Sequence, residues 1–295
     1  MSRVLLTGAS GFVGRHALSA LADAGHEVHA LCRRPGPPAA GVIWHQADLL
    51  DGVQIATEVQ AEILVHLAWY AEHGKFWTSG ENVRWVQASL ELLQAFAAAG
   101  GRRAVMAGSC AEYDWSRELY PESATCTPTT LYGAAKHGLH VISGAYCSEV
   151  GVELAWARLF FLYGPFESPG RFVPSLVVPL LRGESAAMSE GTQRRDFLHA
   201  ADAGAAFAAL ADSSVTGAVN VASGHGLQLR ELALEIARRL DGEELLRIGA
   251  RPMGADEPPA LVADVTRLRQ EIGWSPRIGL ADGLDEVIDW WRENA

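Results

Sequence analysis

The segment VLLTGASGFVGRHALSALADAGHEVHAL, Val4 to Leu31, leaves little freedom in how the chain can begin to fold. Its apolar run Val4–Leu6 enters a glycine-rich turn, and an amphipathic pattern from about Val13 to Ala24 stops at Gly25 before a second apolar run, Val28–Leu31. That order predicts a β-α-β unit. Gly8, Gly11 and Gly14 fall in its first turn, where a missing side chain permits a tight bend, backbone N–H groups close to a pyrophosphate, and a helix packed hard on a strand. Ser10, Phe12 and Val13 share the turn, so the whole Gly8–Gly14 stretch is predicted to hold a dinucleotide. Strand and helix patterns then alternate as far as about Tyr163, which predicts an α/β, Rossmann-type, doubly wound parallel sheet.

The end of the second strand suggests which dinucleotide. An acidic side chain there would accept from the adenosine ribose hydroxyls of NAD, but this chain has Cys32, Arg33 and Arg34. A guanidinium pairs with a 2′-phosphate that a carboxylate would repel, so Arg33 and Arg34 point to NADP, with NAD as the alternative. Asp48 and Leu49 follow another short strand pattern, at the adenine side. Leu67, Ala68 and Trp69 end the buried run that starts at Ile63, where backbone would pass close to the cofactor.

A formal charge of −11 argues against a nucleic-acid partner, which needs a basic surface. No apolar run approaches the roughly 20 residues that span a bilayer, and the amino terminus lacks a leader pattern, so the expected location is the cytoplasm. The four cysteines show no metal-ligand spacing with the histidines, and no metal is expected.

The stretch LYGAAK carries one of only two lysines in the chain, Lys136, four residues after Tyr132. A chance pairing at that spacing is about one in twenty-five, and on a helix both groups project from one face. Together with TGASGFVG, HLAW, Asn82, Ser109, RLFFLYGP (158–165), RRDFLHAADAG (194–204) and IGWSP (272–276), this sequence resembles the extended short-chain dehydrogenase/reductases, in their nucleotide-sugar epimerase, dehydratase and reductase branch. The resemblance implies a cofactor domain over 1–163 with a return segment at about 194–223, and a substrate lobe formed by 164–193 and 224–295. It implies Tyr132 as general acid or base, Lys136 as the cation that holds the nicotinamide ribose and, together with a positively charged oxidised nicotinamide, lowers the phenol pKa, Ser109 as a hydrogen-bond partner of the reacting oxygen, and Phe160 beside the cofactor.

Family dehydratases carry an acid pair where this chain has Cys110 and Ala111, and Glu112 one position later is expected to point elsewhere. The expected reaction is therefore NADPH-dependent reduction of a 4-keto-6-deoxy nucleotide sugar. A nucleotide-sugar 4-epimerase, a reductase or dehydrogenase of another carbonyl substrate, and a catalytically silent NADP sensor are the alternatives. Phe161 replaces an Asn that relatives place near the sugar diphosphate; Arg171, Arg195 and Arg251 are the candidate phosphate or sugar ligands, and Tyr113 a candidate sugar-facing wall. His199 and Asp202 read as helix-start and packing residues, and Trp290–Trp291 as a core edge. Apolar faces on the helices around 83–99 and 132–150 suggest a homodimer.

Overall fold

The computed structural model describes residues 1–254 and 257–295. In chain order the strands are β1 (Arg3–Thr7), β2 (Glu27–Cys32), β3 (Val42–Gln46), β4 (Ile63–His66), β5 (Arg103–Ser109), β6 (Leu119–Tyr120), β7 (Glu153–Leu159), β8 (Phe161–Tyr163), β9 (Ala186–Ala187), β10 (Arg194–His199), β11 (Gly217–Val221), β12 (Gly226–Gln228), β13 (Leu246–Arg247) and β14 (Ala260–Ala263). The helices are α1 (Phe12–Asp23), α2 (Gln54–Val59), α3 (Glu81–Ala98), α4 (Leu131–Val150), α5 (Phe172–Leu181), α6 (Ala200–Asp212), α7 (Leu229–Arg239), α8 (Thr266–Gln270) and α9 (Leu280–Asn294).

Seven strands form the central sheet in the order β11-β7-β5-β4-β1-β2-β3, every pair parallel. Side chains alternate across a strand, so β1 supplies both faces: Val4 and Leu6 pack with Ala17, Leu21 and Phe207 of α1 and α6, whereas Leu5 packs with Leu92, Leu93 and Phe96 of α3 and Leu139 of α4. Helices cover both faces, as a parallel sheet requires. This is the doubly wound Rossmann-type α/β fold.

A separate apolar core unites Val173, Leu176, Val177 and Leu180 of α5 with Leu232 and Ile236 of α7 and Leu284, Val287, Ile288 and Trp291 of α9. A smaller sheet, β12-β10-β14-β6 with β8 on β10, runs between this lobe and the large sheet. Two details depart from the sequence pattern. The stretch 164–175, rich in proline and glycine, reads as a linker, yet α5 already starts at Phe172; Pro174 sits in its first turn, where a missing N–H costs no helical bond. RRDFLHAADAG reads as one helix, but Arg194–His199 is extended, because pairing with β8, β12 and β14 satisfies its backbone before α6 begins. Among the described residues, no helix is long and apolar enough to cross a membrane.

Candidate active site

A cavity of about 950 Å³ opens at the carboxyl ends of β1, β2, β4 and β5. It lies where strand order reverses about β1, the crevice in which open α/β sheets bind ligands. Gly8, Ser10, Gly11, Phe12, Val13 and Gly14 form one wall. Gly8 has φ +69°, and a Cβ there would lie 2.7 Å from the Ala68 backbone nitrogen, while a Cβ on Gly14 would run into the Gly8 carbonyl. Close approach of helix, turn and strand is thus built into the glycines. α1 begins at Gly11 with no side-chain cap and no acidic residue in its first turn, so its amino-terminal N–H groups face the cavity without a competing anion. These features fit the pyrophosphate of a dinucleotide.

Arg33, Asp48, Leu49, Leu67, Ala68 and Trp69 continue the wall. Arg34 does not; it is exposed in the bend that follows β2 and is not part of the cavity wall. Beneath HLAW lies a buried polar relay that no spacing in the sequence announces. The Leu67 and Ala68 amides both donate to Thr7 Oγ1 at 3.2 Å, Thr7 Oγ1 pairs with His66 Nδ1 at 2.7 Å, His66 Nε2 pairs with Ser89 Oγ at 2.8 Å, and Ser89 donates to the Trp85 carbonyl. Burial, reinforced by the Lys136 charge, depresses His66 to about 3, so the imidazole is neutral. With Ser89 donating onward, this relay assigns the proton to Nε2. Asn82 ties α3 to the same region: its Nδ2 donates to the Phe76 and Ser79 carbonyls, and its Oδ1 accepts from Trp69 Nε1.

Ser109 ends β5, and Tyr132 and Lys136 lie one turn apart on α4; all three line the cavity. Thr130 caps α4, its Oγ1 accepting from the Gly133 amide at 3.0 Å, and the Tyr132 amide donates to the Trp77 carbonyl at 3.1 Å. Lys136 Nζ donates to the Ala107 carbonyl at 2.9 Å and sits 3.7 Å above the Trp69 ring. Desolvation dominates both groups. It holds the Lys136 ammonium down to about 7 and pushes the Tyr132 phenol up to about 12, with Ser109 as the first opposing influence. In the protein alone, burial thus outweighs the Ser109 hydrogen bond and the Arg171 charge that favour the phenolate; the acidification expected of Lys136 acting with an oxidised nicotinamide belongs to the cofactor complex.

The remaining candidates divide. Phe160, Phe161, Arg171 and Arg195 line the cavity. Arg195 is buried; it donates to Glu257 Oε1 at 2.9 Å and to the Arg194 carbonyl, with its guanidinium 5.5 Å from the Phe161 ring centre. Tyr113 is not a wall of the cavity. It is buried, its hydroxyl donating to Asn220 Oδ1 at 2.7 Å and accepting from Arg158 at 3.1 Å, so the phenol's polar atom is satisfied beneath the loop rather than in the cavity. Arg251 is likewise corrected: its amide is tied to the Met188 carbonyl, and its side chain stands exposed, away from the cavity.

Glu112 points away from the cavity. Its Oε1 accepts from the Ser109 amide and Trp156 Nε1, both at 2.8 Å, and its Oε2 accepts from Arg158 Nε at 3.0 Å. The donor atoms of Glu112, His137 and His140 lie within 4.8 Å of one another, but the Arg158 guanidinium already occupies the cation position beside that carboxylate. Cys110 does face the cavity, and burial pushes its thiol up to about 12, leaving it a poor acid and a poor nucleophile. His199 caps α6, and Asp202 accepts from the Arg277 and Ile278 amides. The aromatic residues Phe76, Trp77 and Trp115 also line the cavity. In the sequence Trp115 reads equally as core or as a sugar-facing wall, and no motif spacing marks Phe76 and Trp77.

Residues 4–222 match the family model described as the NAD dependent epimerase/dehydratase family. Over 98% of its length the chain is 29% identical to a UDP-glucose 4-epimerase of Streptomyces lividans, of which 95% is covered. Over 99% of its length it is 28% identical to a dTDP-4-dehydro-6-deoxy-D-allose reductase of Streptomyces bikiniensis, of which 96% is covered. Among solved structures it superposes on MoeE5 in complex with UDP-glucuronic acid and NAD with a TM-score of 0.87 at 27% identity, covering 99% of this chain and 100% of that one. The chain belongs to the NAD-dependent epimerase/dehydratase family, the extended short-chain dehydrogenase/reductases, and is a nicotinamide-dependent enzyme of oxidoreductase type.

Proposed function

We propose that this enzyme reduces the 4-keto group of a 6-deoxy nucleotide sugar, using NADPH. The observation that carries the reading is that Ser109, Tyr132 and Lys136 share one cavity with the Gly8–Gly14 turn, while Cys110 and Ala111 stand where an acid pair would be needed to expel a hydroxyl. The relative named as a 4-dehydro-6-deoxy-allose reductase supports it.

The bound dinucleotide supplies a hydride. The chain's own groups do the rest. The Gly8–Gly14 backbone and the start of α1 hold the pyrophosphate, Arg33 pairs with a 2′-phosphate, and Lys136 binds the nicotinamide ribose hydroxyls. Ser109 Oγ hydrogen-bonds the substrate's keto oxygen, and Tyr132 passes its phenolic proton to that oxygen as negative charge develops there. A phenol with a pKa of about 12 is fully protonated near neutrality, the form that reduction consumes. Arg171 lies at the substrate end as a partner for the diphosphate.

A second reading, 4-epimerisation with retained cofactor, is favoured by the Streptomyces lividans relative. Mixing purified protein with NADPH and dTDP- or UDP-linked 4-keto-6-deoxyglucose separates the two. Stoichiometric loss of reduced-nicotinamide absorbance supports the reductase; in a parallel reaction started with UDP-glucose and no added reduced cofactor, conversion to UDP-galactose would replace it with the epimerase. Exposed Val83 on α3 and Val141, Ile142 and Val150 on α4 support a homodimer paired through these two helices.

A further inference from the structure

We infer that Phe76, Trp77 and Trp115 form the specificity element of this site: an aromatic cleft that accepts the sugar ring by a deoxygenated, apolar face and disfavours a fully hydroxylated ring. The inference rests on the nucleotide-sugar reading above and assigns the residues that select among such sugars.

Three rings surround the proton donor. Phe76 meets the Tyr132 ring edge-on with centres 4.9 Å apart, Trp77 meets it at 5.7 Å and 88°, and Trp115 meets Trp77 at 6.3 Å and 86°. Their placement is held by backbone ties. The Tyr132 amide donates to the Trp77 carbonyl, and Asn82 Nδ2 donates to the Phe76 carbonyl at 2.7 Å, so the loop before α3 moves with the start of α4. Trp115 is held at φ +54°, a left-handed conformation that a bulky residue adopts only where its surroundings impose it, and its Nε1 donates to the Cys110 carbonyl at 3.1 Å. Strained backbone that aims an aromatic ring into a cavity is a signature of binding.

Several polar groups nearby are already committed, and, in the described residues, the Trp77 indole N–H is the donor that remains among the three rings. Trp115 and Trp69 spend their indole N–H groups on Cys110 and Asn82, Lys136 is on the Ala107 carbonyl, and Arg195 is paired with Glu257. Among the described residues, the only carboxylates on the cavity wall are Asp48, at the adenine end, and Glu257. A sugar hydroxyl turned toward these rings would lose water and find few partners, whereas a methyl group or ring C–H face gains apolar contact. Trp77, 36% exposed, keeps one face open toward the cavity for such contact.

The test compares ligands that differ only at C6: 6-deoxyglucose against glucose, each as its dTDP and UDP derivative, titrated into the enzyme with oxidised NADP and read by calorimetry and tryptophan quenching. The expected result is tighter binding of the 6-deoxy ligand by about ten- to a hundredfold. Trp77→Ala and Trp115→Ala should bring that ratio close to one, and Trp77→Phe and Trp115→Phe should restore most of it. Equal affinities in the parent, or a preference that survives both alanine variants, overturns the inference while leaving the reductase reading intact. Binding of neither sugar in either nucleotide series overturns both. Circular dichroism and melting of each variant show whether a lost preference comes from lost folding; in that event the phenylalanine variants decide.

Discussion

The two ends of the cavity are built by different means. The cofactor end is framed by backbone, a glycine turn, a helix amino terminus and strand ends within the first 70 residues and fixed by short spacings, to which Arg33 and Lys136 add side chains. The substrate end is made of side chains from five separated segments, represented by Trp77, Trp115, Phe161, Arg171 and Glu257. Backbone geometry tolerates little change, because a Cβ at Gly8 or Gly14 collides with main chain, whereas rings on loops can be exchanged without disturbing the sheet. One fold can thereby keep its dinucleotide chemistry while its sugar end is refitted.

Tyr132 stands at the junction, so its removal tests the division most severely. Tyr132→Phe should lower turnover by about 10²–10⁴-fold, the usual range for a lost general acid, while dinucleotide and nucleotide-sugar affinities stay within a few-fold. Loss of either affinity would mean that the two ends are not separable at this residue.

Glu112 probes the support beneath the reaction loop. It is fully buried with Arg158 and holds the Ser109 amide, so Glu112→Ala should cost about 3–5 kcal/mol in urea unfolding by stranding the guanidinium. Glu112→Gln, which keeps the shape, should cost less. NADPH affinity of the folded fraction should be unchanged for either variant.

Arg33→Asp addresses the cofactor end alone. The ratio of kcat/KM for NADPH to that for NADH should fall about ten- to a hundredfold, with the nucleotide-sugar affinity unmoved. An unchanged ratio would remove Arg33 from 2′-phosphate recognition.

The smallest effect concerns stability. Folding lowers the Lys136 pKa to about 7, so between about 7 and the unfolded value near 10.4 the unfolded chain holds the extra proton and stability rises with pH. Lys136→Met removes the buried charge. Without cofactor, the variant should melt a few degrees above the parent at about pH 6, with a smaller gap at about pH 9. A gap that widens with pH would contradict the desolvated ammonium.

The same division explains what could be read in the sequence. Glycine spacing and alternating apolar runs carried the parallel sheet, the Gly8–Gly14 wall and the Tyr132–Lys136 pair, since each follows from local periodicity. β10 was taken for helix because its pairing partners lie 30 or more residues away, and propensity cannot register them. Tyr113 and Arg251 were misplaced for a related reason. Their neighbours in sequence suggested the cavity, but the partners that hold them, Asn220 and Arg158 in one case and Met188 in the other, come from distant segments. The His66 relay and the Phe76 and Trp77 sides of the aromatic cleft are not legible in the sequence because contacts of that kind have no fixed spacing, and Trp115 reads there as core or wall alike. A sequence shows a lysine one turn from the phenol but not how dry the site is, and it is burial that dominates the phenol in the protein alone.

The most direct measurement is the cofactor balance of a single reaction: parent and Tyr132→Phe enzyme, each with NADPH and a 4-keto-6-deoxy nucleotide sugar, followed by nicotinamide absorbance and by mass of the sugar product. The account predicts one NADPH oxidised for each sugar that gains two hydrogens in the parent, and almost none in the variant. Sugar conversion without net NADPH loss, or equal rates in the two proteins, would contradict it.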